Sequence, residues 1–184
     1  MQLQEILYSQ GFGTRRVCAG LIQQGLVRVF MPNSTESPVV VAQAATEFVA
    51  EGLRFKVQGV EWQYFEKAYL VLHKPAGTEC SQKPSTYPSI YTLLPSPLRL
   101  RPQKAAVQGV QAVGRLDQDT TGMLLLTDDG KFIHRMSSPK HHVPKVYEVT
   151  VKHALDEKQV QKLLAGVVLD DDPAPVRAAA CEAV

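Results

Sequence analysis

The sequence predicts an α+β protein, with a small helix–helix–strand unit ahead of a larger domain on a mixed, mainly antiparallel sheet. Three observations carry this prediction. Residues 1–60 show helical apolar spacing cut by glycines and then turn to strand-like alternation. From residue 65 onward, short apolar runs alternate with helical patterns and long loops. Within that second region, residues 78–110 are rich in Pro, Ser and Gln, a composition of loops and turns.

The elements follow in order. "LQEILYSQGFG" sets Leu3, Ile6 and Leu7 at helical spacing, and Gly11 stops the helix. Thr14 is placed to cap a second helix, "RRVCAGLIQQG", with Val17, Leu21 and Ile22 as its apolar face and Gly25 at its end. "LVRVF" alternates as a strand, "MPNSTES" is a turn, and further strands are expected near 39–41 and 54–57. "KAYLVLHKPAG" opens the second domain as a strand running into Lys74-Pro75. "PSIYTLL" reads as a short helix, "MLLLT" as a buried strand, "DDG" as a turn, and "KFIHRM" as a helix stopped by "SSP". "KVYEVTV" is expected to be a strand with Lys145, Tyr147, Val149 and Val151 on one face, and "LDEKQVQKLLAGV" an amphipathic helix. The domains expected are 1–60 and 65–184.

Composition narrows the class. The chain has 184 residues, 45% of them hydrophobic, which suits a globular core. Net charge is only +2, but it is unevenly spread. Arg99, Arg101, Lys104 and Arg115 form a run without acids, and residues 131–152 hold five basic residues against Glu148. The end is acidic, with Asp170, Asp171 and Asp172 in a row. A basic middle fits an electropositive face for nucleic acid, and equally an uneven solvated surface. Cys18, Cys80 and Cys181 are scattered and form no CxxC pair, so no disulfide framework or zinc knuckle is expected. There is no signal pattern and no apolar run of membrane-span length, so a cytoplasmic monomer without membrane contact is expected.

The densest polar chemistry is "GRLDQDTTG" at 114–122. Asp117 and Asp119 could be read as an acid/base pair of glycosidase type, or as an Asp- and Thr-rich turn. His134, His141 and His142 could suggest a metal, but Pro139 intervenes and no thiol or acid cluster joins them, so a nucleic-acid-facing loop is preferred. No phosphate-binding glycine loop and no metal-ligand spacing occur, so no cofactor and no metal are expected.

Two resemblances give these features roles. "MQLQEILYSQGFGTRRVCAGLIQQGLVRV" resembles an S4 RNA-binding domain, which implies that Thr14, Arg15 and Arg16, at the start of the second helix, face RNA. A helix N-terminus with two arginines is suited to phosphate. Gln4 stands where such domains usually carry an acid that anchors the first helix. "LHKPAG" at 72–77 and "AVGRLDQDTTGMLLLTDDGKFIHRMSSPKHHVPKVYEV" at 112–149 resemble the pseudouridine synthases that modify bacterial 16S ribosomal RNA.

That resemblance implies conversion of one uridine to pseudouridine by a carboxylate nucleophile, with no cofactor. It assigns the nucleophile to Asp117, with attack at C1′ or at C6 both open. Arg115 is implied to support base extrusion, Tyr147 to stack on the uracil, and Lys145 to reach a phosphate. Asp119, Thr120 and Lys74 are placed behind them, with Asp119 and Thr120 hydrogen-bonding the loop that fixes Asp117. The implied partner is 16S rRNA, free or in an assembling small subunit. A large-subunit or other RNA substrate, a non-catalytic RNA-binding remnant and a glycosidase-like hydrolase are the alternatives. The family's basic C-terminal segment does not appear before the chain stops at "CEAV", so a truncated catalytic domain is expected.

Overall fold

A computed structural model describes residues 1–31, 37–103, 107–170 and 172–183. The interior of the turn expected over 31–37, together with Lys104 and Asp171, lies outside the described residues. The chain forms two compact units, Met1–Val143 and Pro144–Val184.

The first unit begins with α1 (Leu3–Ser9) and α2 (Arg15–Gln23). Thr14 caps α2 by accepting from the Val17 amide at 3.3 Å. The buried face of α2 is Cys18 and Ile22, whereas Val17, expected inside, is 49% exposed. The four-residue spacing from Cys18 to Ile22 lines up over the core, and Val17 lies one position off that stripe. Next come β1 (Val27–Val29), β2 (Val39–Val40), β3 (Arg54–Val57) and β4 (Val60–Gln63), an antiparallel sheet in the order β2-β1-β3-β4. Leu3, Ile6, Leu7, Ile22, Val27, Val29 and Phe55 are fully buried beneath it. Each such side chain stabilises the fold by about 1.5–3 kcal/mol.

A second core in the same unit gathers Ala68, Ile90, Val110, Leu124 and Leu126. It sits on a sheet of β5 (Tyr69–Lys74), β6 (Gln111–Ala112) and β7 (Gly122–Thr127), in the order β5-β7-β6 and all antiparallel. Between β5 and β6 the chain makes a 3-10 turn at Ile90–Leu93 and a short α3 (Ser96–Leu100). The "DDG" residues do more than turn. Asp129 caps α4 (Gly130–Ser137) through the Lys131 and Phe132 amides, and Asp128 is buried.

The two cores are joined by a buried polar knot. The Arg101 guanidinium donates to Asp128 Oδ2 at 2.6 Å, to Gln10 Oε1 at 2.8 Å, and to the Phe65 and Glu66 carbonyls at 2.8 and 3.0 Å. Arg101 and Asp128 are nearly inaccessible, so they neutralise each other away from water. Arg101 therefore leaves the basic surface run in which the sequence placed it. Gly11, at φ +89, lies against the Pro97 carbonyl and the Arg101 amide, where a side chain would collide.

The second unit corrects one expectation. Residues 142–156 form neither helix nor strand, so "KVYEVTV" is not a paired strand. Val146 is 96% exposed and Val149 71%. Alternation predicts which faces a strand would show, but hydrogen-bonded neighbours make the strand, and none pairs with this segment among the described residues. The unit then forms α5 (Glu157–Ala165), opened by a capping box between Asp156 and Gln159, and a hairpin of β8 (Val167–Leu169) and β9 (Asp172–Val176).

Candidate active site

The site is built by the register of one strand pair. β5 and β7 align so that Lys74 lies opposite Gly122. This sets the exit from β5 against the "GRLDQDTTG" loop that enters β7. The Gly77 amide donates to the Gln118 carbonyl at 2.7 Å, and the Thr120 amide to the Asp117 carbonyl at 3.2 Å.

Lys74 locks this junction. It is fully buried, and its Nζ donates to the carbonyls of Pro75 (3.1 Å), Gln118 (3.3 Å) and Thr120 (2.9 Å). Three ammonium protons meet three acceptors, so the buried charge is solvated by the loop backbone itself. The sequence placed Lys74 behind the site but assigned the hydrogen bonds that fix the loop to Asp119 and Thr120. Instead, Asp119 is exposed and its carboxylate has no hydrogen bond among the described residues, and Thr120 contributes through its backbone. The reason is chemical. The loop turns carbonyls inward, and a carboxylate, which only accepts, cannot satisfy them.

Asp117 and Arg115 are both exposed. Neither forms an ion pair among the described residues, so Arg115 and Asp117 are not bridged to each other. The residue between them is anchored. Leu116 exchanges two contacts with the Cys80 thiol, which donates to the Leu116 carbonyl at 3.4 Å and accepts from its amide at 3.5 Å. Arg115, Leu116, Asp117 and Gln118 form one wall of a polar cleft of about 380 Å³. The other wall is residues 79–81 and 85–87.

That second wall is organised by Glu79, which sequence reasoning passed over. Its carboxylate accepts from the amides of Ser85 (3.0 Å), Thr86 (2.9 Å) and Tyr87 (2.8 Å) and from the Ser85 hydroxyl. These donors, the Tyr87 amide foremost, hold the Glu79 carboxyl down at about 2. A signal was present: between Glu66 and Asp117 the chain has no acid except Glu79. A single carboxylate ahead of a Ser-, Thr- and Pro-rich loop is placed to gather that loop's amides.

The remaining candidates lie elsewhere. Lys145 and Tyr147 belong to the second unit, both exposed, within the segment that is not a strand. Thr14, Arg15 and Arg16 stand exposed at the start of α2. Arg15 is already engaged, donating to Glu5 Oε1 at 2.7 Å and lying 4.0 Å over the Tyr8 ring. Glu5, adjacent to Gln4, thus supplies an acid on the first helix. His134 and His141 meet edge to face with centroids 6.3 Å apart, and no group of three or more His, Cys, Asp or Glu able to hold a metal occurs among the described residues. No helix among them is long and apolar enough to cross a membrane.

Comparison with known proteins bears on this geometry. The ribosomal small subunit pseudouridine synthase A of Pasteurella multocida (strain Pm70) is 40% identical over 114 residues, covering 62% of this chain and 46% of that protein. The uncharacterized RNA pseudouridine synthase YtzG of Bacillus subtilis (strain 168) is 32% identical over 171 residues, 92% of this chain and 65% of that protein. The ribosomal large subunit pseudouridine synthase B of Yersinia pestis is 33% identical over 177 residues, 96% of this chain and 52% of that protein. The chain therefore spans about half the length of most of these relatives. A family model described as RNA pseudouridylate synthase matches residues 68–179, a span that contains the buried Lys74, the "GRLDQDTTG" loop and both walls of the cleft. This chain belongs to the RNA pseudouridylate synthase family.

Proposed function

We propose that this chain carries the catalytic centre of an enzyme that converts a uridine of ribosomal RNA to pseudouridine, with Asp117 as nucleophile. The observation that carries the proposal is the loop 114–122. It sets an exposed carboxylate at the wall of a polar cleft while its backbone is locked from behind by Lys74. The isomerisation breaks the N1–C1′ bond, turns the uracil and joins C5 to C1′, with the C5 proton lost and one gained at N1. Atoms balance without an oxidant or a co-substrate. What the chain must supply is a positioned carboxylate and a way to hold the extruded base.

Arg115 immediately precedes anchored Leu116 and is unpaired among the described residues, so it is available to the RNA. Tyr147 supplies an exposed ring for stacking and Lys145 a cation for phosphate. Residues 1–60, with Thr14, Arg15 and Arg16 at a capped helix start, act as the RNA-binding arm. The small-subunit rRNA is the preferred substrate, on the pattern of the "GRLDQDTTG", "TDDG" and "SPKHH" segments. The named relatives include both a small-subunit and a large-subunit enzyme, so the test must read both RNAs.

The experiment is chemical mapping of pseudouridine on rRNA from a strain lacking the gene, with and without added protein. A new pseudouridine in small-subunit rRNA is expected. An abasic site in its place would establish a hydrolase. RNA binding with no modified base would establish a binding remnant, a reading that draws on the exposed, unpaired segment around Tyr147.

A further inference from the structure

The loop that faces Asp117 across the cleft is built with more care than a wall requires. Residues 79–90 close on themselves: the Glu79 amide donates to the Pro88 carbonyl and the Ile90 amide to the Glu79 carbonyl, both at 3.0 Å. The Glu79 carboxylate gathers three successive amides at its centre. Pro84 and Pro88 flank that run and restrict its backbone further. Cys80 then ties the loop to the residue beside the nucleophile. A segment fixed to this degree is pre-organised, and it presents one aromatic ring, Tyr87, 41% exposed, with the hydroxyls of Ser81, Ser85 and Thr86 in the same cleft as Asp117 and Arg115.

We propose that the Glu79-centred loop is the subsite for a nucleotide flanking the target uridine, with Tyr87 stacking on its base and the hydroxyls reading its edge or its ribose 2′-OH. The inference rests on the functional reading above and adds what decides which uridine is accepted. When a base is extruded, its neighbours lose a stacking partner, and an exposed ring beside the nucleophile replaces it. Aromatic stacking tolerates every base, whereas the hydroxyls can prefer one: Ser85 Oγ gives its proton to Glu79 and is left to accept, and Ser81 Oγ, which accepts from the Lys83 amide, keeps its proton to donate. Glu79 is a positioning residue: it touches no RNA and acts by keeping Tyr87 in place.

The test uses the full chain and two fluorescent single-stranded RNAs, each with one central uridine. One has purines on both sides, and the other has abasic nucleotides at those two positions. Wild type is expected to bind the first roughly tenfold more tightly than the second, the worth of one stacked base. Tyr87→Ala should remove that discrimination, Tyr87→Phe should restore it, and Glu79→Gln should reduce it while affinity for the abasic RNA stays unchanged. A uniform loss of affinity for both RNAs in Glu79→Gln would mark a merely structural role and overturn its part in the subsite. If Tyr87→Ala binds RNA and still discriminates tenfold, the subsite is overturned and the functional reading stands. If wild type binds neither RNA, the functional reading itself fails, and the subsite with it.

Discussion

The loop 114–122 and the segment 144–151 both carry residues assigned to the same chemistry, yet they are held in opposite ways. The loop has no regular secondary structure between its glycines, yet its Leu116, Asp117, Gln118 and Thr120 carbonyls are taken up by Cys80, Thr120, Gly77 and Lys74. The segment reads as a well-patterned strand, yet it is unpaired among the described residues, with Val146, Tyr147, Val149 and Val151 all more than half exposed. The lesson is that order comes from satisfied backbone groups rather than from local pattern. A polar loop with a buried lysine behind it is better fixed than an apolar alternation with no neighbour.

The largest effect that sharpens this contrast is at the nucleophile. Asp117→Asn keeps shape but removes the attacking carboxylate, so pseudouridine formation should vanish while RNA affinity is retained. Asp119→Asn, in the same loop but with no hydrogen bond to its carboxylate among the described residues, should cost far less. Pseudouridine yield and RNA titration on both variants check this, and the reverse ranking would mean that the wrong aspartate has been chosen.

The second test breaks the loop from behind. Lys74→Met fills similar space but leaves the Thr120 carbonyl without a donor, while Gln118 keeps the Gly77 amide and Pro75 the Thr78 hydroxyl. One unsatisfied buried group costs about 1–3 kcal/mol, so urea unfolding should show at least that loss, and turnover should fall with it. A variant as stable as wild type would show that the loop holds itself.

A third, smaller effect is legible in pH. The Glu79 carboxyl lies at about 2, lowered from 4.5 by its amide donors. A depressed carboxylate stabilises the fold fully above its unfolded value and loses that contribution as pH falls toward the folded one. Wild type should therefore lose stability between about pH 4.5 and 2 more steeply than Glu79→Gln. Parallel acid-unfolding curves for the two proteins would show that the carboxylate does not hold the loop.

The smallest effect belongs to the other region. Val149→Asp falls on a side chain that is 71% exposed, so thermal unfolding should shift by no more than about 0.5 kcal/mol. A large loss would mean that the segment is paired and buried in solution, and the contrast drawn above would collapse.

The sequence by itself determined what depends on near neighbours. Thr14 capping α2, Gly11 ending the first helix region, strands near 54–57 and 123–127 and a helix stopped by "SSP" were all legible, because caps, turns and periodicity act within a few residues. The "GRLDQDTTG" motif was legible too, as a concentration of chemistry. Only the tertiary structure decided how that motif is supported. Lys74 and Thr120 are 46 residues apart, and Arg101 and Gln10 are 91. No local rule marks Arg101 as buried rather than as part of a basic surface, or says that of Lys74, Asp119 and Thr120, all placed behind the site, Lys74 makes the side-chain hydrogen bonds to the loop. Those outcomes follow from which carbonyls strand register brings together and which donor can reach them, and register is set by the whole sheet.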